Sequence, residues 1–156
     1  MSFLGIYSFF YNLALGKFLP YRKLIEDLIS FLEIKNGEKI LDAGCGPGFL
    51  IKEIIERNKE KNLKILGIDS NPKMINYAKK RCVDFPEINL KLTDLNKDLD
   101  FPENSFDKIV CLNTLYTLKN PEKAIREFYR ILKLGGYLVI SNPKQMQKER
   151  NFSKNK

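Results

Sequence analysis

Five short apolar runs, each set apart by a stretch with helical spacing, constrain this chain more than any other feature. The runs are residues 39–43 (KILDA), 64–68 (KILGI), 88–92 (INLKL), 107–112 (DKIVCL) and 137–141 (YLVIS). The spacing predicts a helix over 21–33, with Leu24, Ile25, Leu28, Ile29 and Leu32 on one side, and another over 48–60, with Leu50, Ile51, Ile54 and Ile55 facing in. A third helix begins at Pro72 with Met74, Ile75 and Ala78 as its apolar face, and a fourth spans roughly 121–133 before Gly135-Gly136 breaks it. Strands of this length alternating with amphipathic helices predict an α/β fold. The expected form is a three-layer sandwich around a mostly parallel, Rossmann-like sheet of about five strands, with right-handed crossovers.

With 156 residues the chain suits one domain with a substantial core. Its formal net charge is +8, but the lysines are spread along the sequence and no arginine-rich block or basic-aromatic repeat occurs, which argues against nucleic acid. Cys45, Cys82 and Cys111 have no metal-ligand spacing and no histidine exists to join them, so neither a zinc site nor a disulfide framework is expected. That pattern suits a reducing, cytoplasmic setting. Residues 1–20 form an aromatic N-terminal extension carrying Phe3, Tyr7, Phe9, Phe10 and Tyr11. It lacks the basic start of a signal peptide and is too short to span a bilayer. It suits a helix on the core, a cover over a pocket, or a peripheral membrane contact. The main domain is expected over 21–144, followed by a polar, basic tail over 145–156.

The first strand runs directly into residues 40–50, ILDAGCGPGFL, where Gly44, Gly46 and Gly48 alternate. Glycine clusters mark tight turns or places where a ligand approaches the backbone. In an open α/β sheet, ligands bind beyond the carboxyl ends of the strands, beside helix N-termini with unpaired N–H groups. The spacing G-x-G-x-G is neither the dinucleotide fingerprint nor a Walker A loop. Asp69 ends the second strand about 25 residues after Gly44. A carboxylate there can accept from both hydroxyls of a ribose, or Asp69, Ser70 or Asn71 can cap the helix that begins near Pro72. Asp94 holds the matching place after the third strand, as a turn residue or an acceptor for a base amine.

The segments LDAGCGPG (41–48), GIDSNPKMINYAKKR (67–81), the position of Asp94, and the stretch from Phe106 to Ser141 follow one another in an order that resembles the class I S-adenosylmethionine-dependent methyltransferases. The likeness is to the small-molecule, quinone-biosynthesis-like type. It implies S-adenosyl-L-methionine as cofactor and a small-molecule methyl acceptor. It also implies a cofactor site made by Asp42, Gly44, Cys45, Gly46, Gly48, Asp69, Ser70, Met74, Asp94, Leu95 and Asn113. By the same resemblance Asp42 steadies the loop and helps hold the cofactor amino group, and Leu95 lies against the adenine. Asn113 sits near the transferred methyl, and Tyr11 and Tyr116 face the substrate. No catalytic residue is singled out. The position that carries an Asn/Asp-Pro-Pro-aromatic motif in enzymes acting on nucleic-acid amines reads NTLY here. The family sheet has two further strands after the fifth, and residues 142–156 show no strand pattern. The chain is therefore expected to be C-terminally short, with the edge of strand five open to a second copy or a partner protein. The alternative expectation is a cofactor-binding but catalytically incomplete protein that acts through such a partner.

Overall fold

The computed structural model describes residues 19–141. Its elements alternate as the spacing requires: α1 (Leu19–Leu32), β1 (Lys39–Ala43), α2 (Phe49–Arg57), β2 (Lys64–Asp69), α3 (Pro72–Arg81), β3 (Asn89–Leu92), β4 (Phe106–Leu112), a single 3₁₀ turn (Leu115–Thr117), α4 (Pro121–Ile131) and β5 (Leu132–Ser141). The strands form one sheet in the order β3-β2-β1-β4-β5, every neighbouring pair parallel. The chain winds outward from β1 through β2 to β3, then crosses to β4 and winds the other way. The place where that order reverses, between β1 and β4, opens a crevice at the carboxyl ends of the strands.

Central position explains the composition of β1. It is hydrogen-bonded on both sides and covered on both faces, so Ile40, Leu41, Asp42 and Ala43 are all buried. On one face Ile25, Leu28 and Leu32 of α1 join Leu50, Ile51 and Ile54 of α2 and Ile75 of α3 over Ile40, Ile65 and Val110. On the other, Ala124, Phe128 and Ile131 of α4 pack on Leu41, Ile68, Phe106 and Ile109. Leu95 and Leu99 close that second face from the connection between β3 and β4. This connection has no helix of its own. Arg130 pins it by donating to the carbonyls of Phe101 and Leu99 at 2.8 and 2.9 Å, while Glu127 accepts from the Leu99 N–H at 2.8 Å. Hydrogen bonds from Arg130 hold the Glu127 carboxyl down at about 2.

Two boundaries differ from the sequence reading, each for a local reason. Helix α2 stops at Arg57 rather than near residue 60, because Asn58 folds its amide back onto the Ile54 carbonyl at 2.8 Å. Helix α4 stops at Ile131, and β5 begins at once, five residues before the expected start. Phe106 pairs with Leu132 but Lys108 pairs with Tyr137, so β5 spends five residues where β4 spends two. The surplus bulges out around Gly135, which has φ +78°, and a side chain at Gly136 would meet the Asp107 carbonyl at 2.7 Å. No helix among the described residues is long and apolar enough to cross a membrane.

Candidate functional site

The glycine loop between β1 and α2 is built from three left-handed positions with different reasons behind them. At Gly44 a side chain would collide with Thr114, and at Gly48 it would press on Ala78 of α3 at 3.0 Å. These two let neighbouring segments close up. Gly46, at φ +51°, has nothing within 4 Å of where a side chain would stand. It alone faces open space, and that space is a cleft.

The cleft, of about 210 Å³, lies across the carboxyl ends of β1, β2, β3 and β4. Gly44 and Gly46 form its floor. Asp69, Ser70 and Met74 line it from the end of β2 and the start of α3, Thr93 and Leu95 from the end of β3, and Asn113 and Thr114 from the end of β4. Asp69 is the one charged residue among the lining residues, in a chain whose net charge is +8.

Asp69 organises this end of the sheet. Its Oδ2 accepts from the Gly46 N–H at 2.9 Å and its Oδ1 from the Asn71 N–H at 2.8 Å. Each carboxylate oxygen retains a further acceptor site. The cap of α3 is Asn71, which accepts from the Lys73 N–H at 2.9 Å, with Pro72 following. Asp69 is therefore not needed as that cap. Burial raises the Asp69 carboxyl above its ordinary range, against the opposing effect of the two N–H donors. The loop is also tied to β2 through the Ile68 carbonyl, which accepts from both Gly44 and Cys45 N–H groups at 2.8 and 2.9 Å.

Behind the loop stands Asp42, 3% exposed, with an Oδ2 that has no hydrogen-bond partner among the described residues. Burial, and then the nearby Asp69 carboxylate, push its carboxyl up to about 7. The Thr93 hydroxyl is likewise buried without a partner. Asn113 adopts φ +51°, a conformation asparagine tolerates better than most residues, and its N–H donates to the Ser141 carbonyl at 2.7 Å. Buried polar groups without partners are uncommon, and the two among the described residues, Asp42 and Thr93, both lie at this cleft.

Of the residues named from the sequence, Gly44, Gly46, Asp69, Ser70, Met74, Leu95 and Asn113 come together as lining. Asp42, Cys45 and Gly48 lie beneath, all buried. Asp94 does not join the wall. Its Oδ1 takes the N–H and the side-chain amide of Asn96, at 2.9 and 2.8 Å. These bonds lower its carboxyl below the ordinary range. Tyr116 sits on the 3₁₀ turn, 57% exposed and outside the lining. Tyr11 lies outside the described residues. Sequence reasoning missed Thr93 and Thr114, whose only signal was their place one and two residues beyond the ends of β3 and β4.

A family model described as a methyltransferase domain matches residues 34–156. The chain belongs to that methyltransferase domain family. Demethylmenaquinone methyltransferase of Tropheryma whipplei is 35% identical over 109 residues, covering 70% of this chain and 43% of the relative. An uncharacterised methyltransferase of Bacillus subtilis is 32% identical over 114 residues, covering 72% of this chain and 60% of the relative. The methyltransferase domain thus spans less than two thirds of either relative. Among solved structures, a SAM-dependent methyltransferase from Aquifex aeolicus superposes with a TM-score of 0.66 at 28% identity, over 74% of this chain and 62% of that one. The Rossmann-like methyltransferase fold expected from the sequence is the fold observed.

Proposed function

We propose that this methyltransferase domain binds S-adenosyl-L-methionine in the cleft and transfers its methyl group to a small-molecule acceptor. The observation that carries the reading is the pair of carboxylates, Asp42 and Asp69, set around a loop whose one outward-facing position, Gly46, has no side chain and open space before it. A buried Asp42 oxygen without a partner and a partly buried Asp69 with spare acceptor sites suit a ligand that brings positive charge and hydroxyl donors. S-Adenosylmethionine has both, and when bound it supplies a methyl group on a sulfonium centre, open to in-line displacement.

In this reading Asp69 accepts from the ribose hydroxyls with the lone pairs its two N–H bonds leave free. Gly44 and Gly46 let the methionine part lie on the backbone, and Met74 and Leu95 flank the adenine. Asn113, at the end of β4, lines the part of the cleft assigned to the reacting end. The chain has no histidine, so the site works by holding reactants in line rather than by a histidine base. The acceptor is proposed to be a small ring compound of the hydroquinone kind. The support is the demethylmenaquinone methyltransferase likeness together with a 2-methyl-6-phytyl-1,4-hydroquinone methyltransferase of rice, 32% identical over 108 residues. The domain is proposed to occupy 21–144.

A second reading has its own observation. Leu134, Tyr137 and Ile140 of β5 are exposed, and among the described residues no strand pairs with the outer edge of β5. A protein that binds cofactor and turns over only when a second copy or a partner covers that edge would fit. Calorimetric titration with S-adenosylhomocysteine, followed by methyl transfer to a panel of hydroquinones with the mass in solution recorded, tests both. Binding with turnover by a monomer supports the first reading. Binding with turnover only on assembly supports the second, and no binding by the folded chain overturns both.

A further inference from the structure

The glycine loop hides a carboxyl group that nothing in the ligand-free protein is built to keep ionised. Asp42 sits at the end of the central strand, 3% exposed, and no group of the described residues donates to its Oδ2. The titratable groups that face it come from every element packed around it. They are the Asp69 carboxylate from the end of β2, the Cys45 thiol of the loop, the Cys111 thiol of β4 and the Cys82 thiol at the end of α3. None is a cation. Burial raises all three thiols, with Asp42 itself adding to the effect, so they stay neutral near pH 7. Asp69 differs, because two backbone N–H groups hold it at 2.9 and 2.8 Å and favour its charged form. Two carboxylates in one covered site, one with donors and one without, divide their roles. The donors favour the charged form of Asp69 against its burial, and charge there makes Asp42 harder to ionise.

We propose that Asp42 carries a proton in the ligand-free site and releases it when the ammonium group of an amino-acid-bearing nucleoside arrives, so that binding is coupled to loss of one proton to solvent. The O–H bond of the carboxylic acid breaks, the proton leaves to buffer, and the ligand's ammonium group takes its place. The inference rests on the cofactor reading and goes beyond it by predicting that the cleft exchanges one cation for another. A neutral nucleoside, which brings no positive charge, would leave the proton where it is.

The test uses the full chain and S-adenosylhomocysteine, titrated near pH 6 in buffers of different ionisation enthalpy. The binding enthalpy should vary with the buffer by close to one proton released, and the release should fade toward zero near pH 9. Adenosine, which has no ammonium group, should show no release. Infrared difference spectra should lose the protonated carboxyl stretch when S-adenosylhomocysteine is added, and ligand-free Asp42→Asn, which need not bind anything, should lack that band. Asp69→Asn should keep it. Binding with no buffer dependence near pH 6 overturns the proposal. So does a band that persists in Asp42→Asn and vanishes in Asp69→Asn. No binding of S-adenosylhomocysteine at all would instead remove the cofactor reading, and this inference with it.

Discussion

The two ends of the sheet handle charge in opposite ways. At the amino ends of the strands, Lys108 is buried, 2% exposed, yet its ammonium pairs with Glu38 at 3.2 Å and lies 4.6 Å over the Tyr137 ring. Beside it Lys133 reaches both oxygens of Asp107 at 2.8 and 2.9 Å, and Asp107 also accepts from the Lys39 N–H. Both buried or half-buried charges there have partners within the chain. At the carboxyl ends, Asp42 and Thr93 have buried oxygens with no partner among the described residues, and the Asp42 and Asp69 carboxylates form no ion pair among those residues. An end that satisfies itself is structural. An end left unsatisfied stores cost that a ligand can relieve, and that cost marks where the ligand goes.

Changes at the two ends should therefore separate stability from binding. Asp42 and Glu38 give the largest expected effects, of similar size. The folded-state carboxyl of Asp42, at about 7, lies above the ordinary 3.8, so between these values the folded protein holds a proton that the unfolded chain has lost. Ligand-free stability from this group then falls as pH rises from about 4 to about 7, by roughly 4 kcal/mol at most. Asp42→Asn should flatten that slope, read by denaturant melts at several pH values. Glu38→Ala strands the buried Lys108 and should cost about 3–5 kcal/mol of stability while leaving cofactor affinity unchanged in the folded fraction. Asp69→Ala should do the reverse, weakening S-adenosylhomocysteine binding by about 2–3 kcal/mol in calorimetry with a smaller loss of stability. The smallest is Thr93→Val. Removing a buried hydroxyl that has no partner should stabilise the ligand-free protein by about 1 kcal/mol, seen as a higher melting temperature. If Thr93→Val melts lower, the hydroxyl has a partner and the contrast between the two ends weakens.

The parts of this picture that the sequence disclosed are those with a period or a steric signature. Alternation of apolar runs and helical faces located all five strands, because a parallel strand covered on both faces has to be mostly apolar, as β1 is at Ile40, Leu41 and Ala43. Gly44, Gly46 and Gly48 announced the loop, since only glycine takes left-handed backbone freely. The sequence did not separate them by role. Two glycines serve packing against Thr114 and Ala78, neighbours that the fold supplies from 70 and 30 residues away. Asp94 was legible as an acceptor but not as one already taken by Asn96, because a short side-chain turn leaves no periodic trace. The early start of β5 was hidden for a similar reason. Gly135-Gly136 reads as a break between elements, whereas the chain uses it as a bulge inside one. The Lys108–Glu38 pair was invisible, since a lysine in a strand carries no mark of the partner it will meet.

The most direct test follows backbone amide signals of the isotope-labelled chain as S-adenosylhomocysteine is added. The account predicts the largest shifts at Gly44, Gly46, Asp69, Ser70, Thr93, Leu95 and Asn113, with Glu38, Lys108 and Gly135 unmoved. Shifts centred on Glu38, Lys108 and Gly135, or saturation without movement of the glycine loop, would contradict it.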